Sequence, residues 1–198
     1  MMIKITENQT STVVNILVRG FLEDPSFCYV FPHPEKRLQA LTALFPMFVS
    51  DGVQRGEVLI TPEEQGAIIW YPPETEIDEA EFAQTWEKVK SITAEFGGLE
   101  AVQKIEEIAG KAKLAEIQQP HCEIRWLAIL PEARGQGMGA NLLLPVLNYA
   151  DTKKVGCYLV SSNPRNLTFY QRYGFQQRLC VNIDELSFTA LWRDPVAT

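Results

Sequence analysis

The sequence predicts a mixed α/β fold with a central, mostly antiparallel sheet that contains one parallel βαβ pair and carries extra helices. Three observations lead there. HCEIRWLAIL (121–130), PEARGQGMG, ANLLLPVLNYAD and VGCYLVSS follow one another as strand, glycine loop, helix and strand, so their two strands should be parallel with a right-handed crossover. Two further pairs of apolar runs, around residues 57–71 and 175–193, read as antiparallel hairpins. Residues 10–49 and 78–119 instead carry apolar residues at helical spacing.

The elements are expected in this order. From Thr10, read as an N-cap, Val13, Val14, Leu17, Val18, Phe21 and Leu22 form one helical face up to Pro25. A second helix starts near Pro34, a favourable first-turn residue, with Leu38, Leu41, Leu44, Phe45, Phe48 and Val49 on one side. DGVQRGEVLIT (51–61) reads as a turn into a strand, and EEQGAIIWYPPE (63–74) as its hairpin neighbour, stopped by Pro72 and Pro73. Phe82, Trp86, Val89 and Phe96, then Leu99, Val102, Ile105 and Ile108, mark two amphipathic helices separated by Gly97-Gly98. No repeat or low-complexity linker appears, so residues 78–119 are expected to be a helical insertion in one domain spanning 1–198. Most of its rings should be core, and its outer surface is a candidate pocket wall or homodimer face. Pro145 should kink the helix that follows the glycine loop. NPRNLTFYQRYG (163–174) reads as a short helix closed by Gly174, ahead of the last two strands.

Composition narrows the function. The chain has 198 residues, 46% hydrophobic and 22% charged, enough for one substantial core. With 18 basic against 25 acidic residues the net charge is -7, which disfavours nucleic acid or an anionic membrane as main partner and favours cationic substrates. MMIKITENQT lacks the apolar run of a signal peptide, and no stretch approaches the roughly 20 apolar residues of a membrane span, so a cytoplasmic location is expected. Cys28, Cys122, Cys157 and Cys180 have no C-x-x-C spacing, and His33 has no companion ligand, so neither a metal nor a disulfide framework is expected. Ser161-Ser162 lack the G-x-S-x-G context of a hydrolase nucleophile.

The glycine loop, between a strand end and a helix N-terminus, is the strongest functional signal. Unpaired backbone N–H groups and the positive end of the helix dipole converge there, and missing side chains admit a phosphate. Arg134 adds a candidate charge-assisted contact. Gly135-x-Gly137-x-x-Ala140 also fits the relaxed dinucleotide fingerprint, but the next strand ends in Val160, Ser161, Ser162 and Asn163, without the acidic ribose partner. Gly139-Ala140-Asn141 does not supply the Gly-Lys-Ser/Thr of a Walker loop.

Arg134-Gly135-Gln136-Gly137-Met138-Gly139 matches the [Q/R]-x-x-G-x-[G/A] pyrophosphate loop of the GNAT acetyltransferase superfamily, placed after a strand ending Leu127-Ala128-Ile129. Downstream, Asn163 to Phe175 matches its N-x-x-x-x-x-[F/L]-Y-x-x-x-G-F signature, at the expected separation. The chain resembles that superfamily over about residues 120–176, and Trp70-Tyr71-Pro72-Pro73 with Ser162 to Asn166 resembles the subgroup that includes puromycin N-acetyltransferase. The resemblance implies a sheet with helices on both faces and a cofactor-binding core at 120–176. It further implies transfer of an acetyl group from acetyl-CoA, without a metal, to a small-molecule primary amine. A bulge would splay the strand at Leu127, Ala128 and Ile129 from its neighbour, freeing backbone groups for the pantetheine arm and the acetyl carbonyl. The loop from Arg134 through Gly135, Gln136, Gly137, Met138 and Gly139 to Ala140 would hold the pyrophosphate, with Asn163, Asn166 and Tyr170 as further cofactor contacts.

Such a transfer needs a neutral amine, a donor for the oxyanion and a proton for the leaving thiolate. Tyr170, which the signature places at the acid's position, has a phenol that is protonated at neutral pH and can serve the thiolate. Glu123 is the sole carboxylate in its strand, and alternation puts it on a face with Arg125, Leu127 and Ile129, apart from Cys122, Ile124, Trp126 and Ala128. It is the candidate base, with Arg125 as a competing ion-pair partner and with His121 or ordered water as alternatives. A covalent route through Cys122 or Cys157 is not demanded by any pattern. Two other classes stay open: an acyl-CoA-binding regulatory module without turnover, and a dinucleotide-binding oxidoreductase.

Overall fold

The computed structural model describes residues 3–5, 9–76, 78–115 and 117–196; Met1, Met2 and Thr6–Asn8 of the N-terminal segment lie outside them. Its sheet has the order β1 (Ile3–Lys4), β2 (Glu57–Ile60), β3 (Gly66–Tyr71), β4 (His121–Ile129), β5 (Gly156–Ser161), β7 (Leu186–Arg193) and β6 (Gln176–Ile183). Among the described residues only β4 and β5 pair in parallel; the other neighbours are antiparallel. The predicted class, with its single βαβ pair, is the observed one.

Helices cover both faces. On one, α1 (Thr10–Phe21) and α3 (Pro34–Arg55) bury Val13, Ile16, Leu17, Leu41, Phe45 and Val49 against β2, β3 and β4. On the other, α5 (Met138–Lys153) buries Leu142, Leu143, Val146 and Ala150 against β3, β4 and β5. Each fully buried aliphatic or aromatic side chain contributes about 1.5–3 kcal/mol. Pro145 sits inside α5, which runs unbroken through it.

Four expectations need correction. Thr10 is the first helical residue, with Gln9 at the cap position and no side-chain cap. Pro25 starts a helix as well as ending a segment: Asp24 caps α2 (Pro25–Val30) by accepting from Ser26 N, with Pro25 at the first turn. Residues 51–55 belong to α3, because Gly52 faces the core and lets the last turn lie on Val58 and Ile69. The short edge strand β1 had no periodic signal of its own.

The 78–119 segment forms α4 (Glu79–Ala112), capped by Asp78 and interrupted where Gly98 takes φ 71° and ψ -170°, so the two expected helices meet at the expected glycines. Val89, Ala101, Trp86, Phe96 and Ile105 pack on α2 and α3, whereas Phe82 and Leu99 are exposed.

Gly156 opens β5 where the Trp192 indole lies across its backbone. A Cβ there would stand 2.0 Å from Trp192 Cζ2. Gly156→Ala is therefore expected to cost about 1–3 kcal/mol by overpacking, read as a lower midpoint in thermal or urea unfolding.

Candidate active site

The site is built where β4 and β5 part. They pair only at His121↔Gly156, Cys122↔Cys157 and Glu123↔Tyr158, so the β4 backbone beyond Glu123 has no partner on the β5 side. On the β3 side, Ile69 faces Trp126 and Trp70 faces Ile124, leaving Arg125 as an extra bulged residue. The bulge resets the alternation and corrects the expected face of Glu123. Leu127 and Ile129 turn to the α5 face with Cys122 and Ile124, while Trp126 and Ala128 pack under α1 and α3. Glu123 stands opposite Tyr71, also on the α1/α3 face.

At the wide end of the gap lies the glycine loop. Among the described residues, the five consecutive N–H groups from Gly135 to Gly139 donate to no acceptor. Gly135 and Gly137 have φ of 80° and 81°, a left-handed backbone that glycine adopts without strain and that turns successive N–H groups into a concavity. Gly139 packs against Phe169, where a Cβ would meet the ring at 3.3 Å. Met138 opens α5, so its dipole points into the concavity. These features fit a diphosphate. The Arg134 side chain is used otherwise than expected: its Nη2 donates to Gly20 O at 2.9 Å and its Nε to Ile129 O at 3.3 Å. It clamps the loop to the end of α1 and to β4.

Beside the loop, Asn163 Oδ1 accepts from Arg165 N at 3.1 Å and opens the turn into α6 (Leu167–Gln171); Asn166 is exposed on that turn. Tyr170 is buried against Phe169 and Phe175 and makes no side-chain hydrogen bond among the described residues. Burial, and secondarily the Asp24 carboxylate, push its phenol well above its ordinary value, so it is protonated throughout the neutral range. Ser162, one residue beyond β5, donates to Asp24 Oδ1 at 2.7 Å, joining the wide end of the gap to the start of α2. The D-P-S sequence at 24–26 carries a legible helix-cap signal, but a contact across 138 positions has none.

The narrow end holds the other expected groups. Glu123 accepts from Arg125 Nη1 at 3.1 Å, so the expected competing ion pair is formed. Tyr71 donates to Asp51, and Arg55 Nε holds that carboxylate at 2.7 Å. His121 Nδ1 lies 2.8 Å from Gln119 O, and the ring packs edge-on against Tyr158 and Trp192, away from the gap. Cys122 and Cys157 are fully buried, and their mutual hydrogen bond, reinforced by burial, pushes the Cys157 thiol up, which disfavours the thiolate a nucleophile needs. On the α1/α3 face, Trp126 stacks between Phe27 and Phe48, with centroids at 6.2 and 5.3 Å and planes within 25°.

Among the described residues no helix is long and apolar enough to cross a membrane. The fold is similar to that of the histone acetyltransferase HPA2 and related acetyltransferase from Corynebacterium glutamicum, with 20% identity over 100% of this chain and 97% of that one and a TM-score of 0.71. It is also similar to arylalkylamine N-acetyltransferase 2 from Aedes aegypti, with 14% identity, 98% of both chains covered and a TM-score of 0.65. A PaiA N-acetyltransferase from Thermoplasma acidophilum, in complex with coenzyme A, shares 12% identity over 98% of both chains, with a TM-score of 0.58. Residues 62–175, more than half of the sequence and spanning the parted strands, the glycine loop and Tyr170, match the Acetyltransferase (GNAT) family, and the chain belongs to that family.

Proposed function

We propose that this protein transfers the acetyl group of acetyl-CoA to a primary amine of a small molecule, directly, in a ternary complex. The observation that carries the reading is the free N–H row from Gly135 to Gly139 at the wide end of one backbone gap, with Phe169 packed on Gly139 and the protonated Tyr170 beside Phe169. The loop, with Asn163 and Asn166 alongside, binds the diphosphate end of the cofactor. The unpaired backbone of Leu127, Ala128 and Ile129 receives the pantetheine arm and polarises the acetyl carbonyl. Tyr170 protonates the departing sulfur. A carboxylate on the acceptor side takes up the amine's first proton. The stacked Phe27, Trp126 and Phe48 suit an apolar or aromatic body on that amine.

Titration calorimetry with acetyl-CoA, CoA and NAD, followed by thiol release with a panel of amines, tests the reading. Acetyl-CoA binding with amine-dependent thiol release is expected. Binding without release from any amine would favour a regulatory module, and NAD binding in place of acetyl-CoA would favour an oxidoreductase. Gly137→Val tests the loop by itself. A β-branched residue in the left-handed region costs roughly 1–2 kcal/mol, so acetyl-CoA affinity should fall about tenfold. Unchanged affinity would place the diphosphate elsewhere.

A further inference from the structure

Asp24 stands in an unusual setting for a carboxylate. It is only 9% exposed and, among the described residues, forms no ion pair. The nearby cation, Arg37, is spent on Leu22 O, Phe31 O, Pro32 O and Glu23, bracketing α2 from both ends and fixing Asp24 in place. Among the described residues the donors to Asp24 converge on one oxygen: Ser26 N at 3.0 Å, Ser26 Oγ at 2.6 Å and Ser162 Oγ at 2.7 Å reach Oδ1, and none reaches Oδ2. Oδ2, without a partner among the described residues, keeps the access that the rest of the side chain has lost and is the oxygen a cationic ligand can reach.

We propose that Asp24 Oδ2 receives the ammonium group of the acceptor and takes its first proton, which makes Asp24, rather than Glu123, the catalytic carboxylate. The inference rests on the transferase reading above. Position separates the two acids. Asp24 is held to Ser162 at the wide end of the gap, and its charge bears on the Tyr170 phenol. Glu123 occupies the last residue pair before β4 and β5 part, is tied to Arg125, and lies four residues before Leu127, roughly 13 Å along an extended strand.

The step balances. The ammonium gives one proton to Oδ2, the oxygen left free by the serine donors. The nitrogen lone pair then forms the N–C bond to the thioester carbonyl carbon, and the C–S bond breaks. Tyr170 gives its proton to the sulfur, and the second proton lost from nitrogen restores the phenol through water. Asp24 releases its proton to solvent, so each turnover yields amide, thiol and one proton.

The experiment pairs alkylamines with alkoxyamine isosteres that are neutral at neutral pH, phenethylamine with O-benzylhydroxylamine first, on wild type, Asp24→Asn and Glu123→Gln. Asparagine caps a helix as well as aspartate does, so Asp24→Asn removes the charge and keeps α2. Its kcat/KM for the alkylamine should fall about 100-fold and for the alkoxyamine less than about threefold, with the unfolding midpoint unchanged. Glu123→Gln should affect both acceptors alike. Equal losses for both acceptors in Asp24→Asn, or no loss, would overturn the proposal while leaving the transferase standing. A wild type that binds acetyl-CoA but acetylates no amine would overturn the transferase reading, and this proposal with it.

Discussion

Tyr170→Phe is expected to lower kcat by roughly 10²–10³-fold while leaving acetyl-CoA affinity within about twofold. The substitution is clean. The Tyr170 hydroxyl has no hydrogen-bond partner among the described residues, so its removal strands no donor or acceptor. The ring's contacts with Phe169 and Phe175, at centroid separations of 5.1 and 5.7 Å, persist in phenylalanine. A loss of rate with unchanged binding and unfolding midpoint therefore reports proton delivery. Because burial and the Asp24 charge both push the phenol upward, wild type should show no loss of its acid until well above neutral pH. Single-turnover thiol release, with calorimetric binding on the same preparations, decides the matter. A mutant turning over at the wild-type rate would assign the thiolate's proton to water.

The glycine loop and the Tyr170 helix were legible because their chemistry is local. Three glycines within five positions, and the spacing from Asn163 to Gly174, dictate backbone conformation with little help from distant residues. A bulge in this strand was expected from the family resemblance, but its place at Arg125 was not legible. No glycine or proline marks it; it follows from the register in which β3 meets β4, and it reverses the face of every β4 residue beyond it. Strict alternation therefore grouped Glu123 with Leu127 and Ile129, whereas the fold opposes them. Arg134 misled for a related reason. A cation beside a phosphate loop reads as a ligand, but its guanidinium meets the carbonyls of Gly20 and Ile129, and the first of these comes from a helix more than a hundred residues away. Asp24 carried only a cap signal, because the contact that gives it a second meaning is made by Ser162.

Those misreadings share a cause with what holds the site together. The apolar packing of α1 and α3 on β4 is supplemented by polar contacts of long sequence separation that tie α1 and α2 to the loop and to the strand ends around the gap. Arg134 joins α1 to the loop, Ser162 joins β5 to α2, and Tyr29 on α2 donates to Asp184 in the β6–β7 turn at 2.8 Å. Side-chain-to-backbone and side-chain-to-side-chain bonds of this kind contribute about 1 kcal/mol each, little of the stability but enough to set relative positions.

Arg193→Ala should give the largest loss of stability in the molecule's polar structure, roughly 3–5 kcal/mol, lowering the unfolding midpoint by on the order of 10 °C. Arg193 makes a two-pronged pair with Asp151, Nη1 to Oδ1 and Nη2 to Oδ2 at 2.8 Å each, with both side chains nearly buried at 8% and 12% exposure. Its Nε also donates to Tyr173 O at 3.1 Å, at the turn that closes α6 three residues after Tyr170. Among the described residues, truncation leaves Asp151 as a buried charge supported only by the Val196 N–H at 2.8 Å. Replacing both members, as Arg193→Met with Asp151→Leu, should recover much of the loss, because no unpaired charge remains. The same pair sets an acid dependence. Arg193 foremost, with the Val196 N–H, holds the Asp151 carboxyl below its ordinary value. The folded state thus prefers the ionised form: the contribution is complete above the ordinary carboxylate range and is lost as pH falls through that range toward the lower folded value. Urea unfolding across acid pH should show a shallower fall for Arg193→Ala than for wild type. An equal fall in both would mean that the pair is not what the acid breaks.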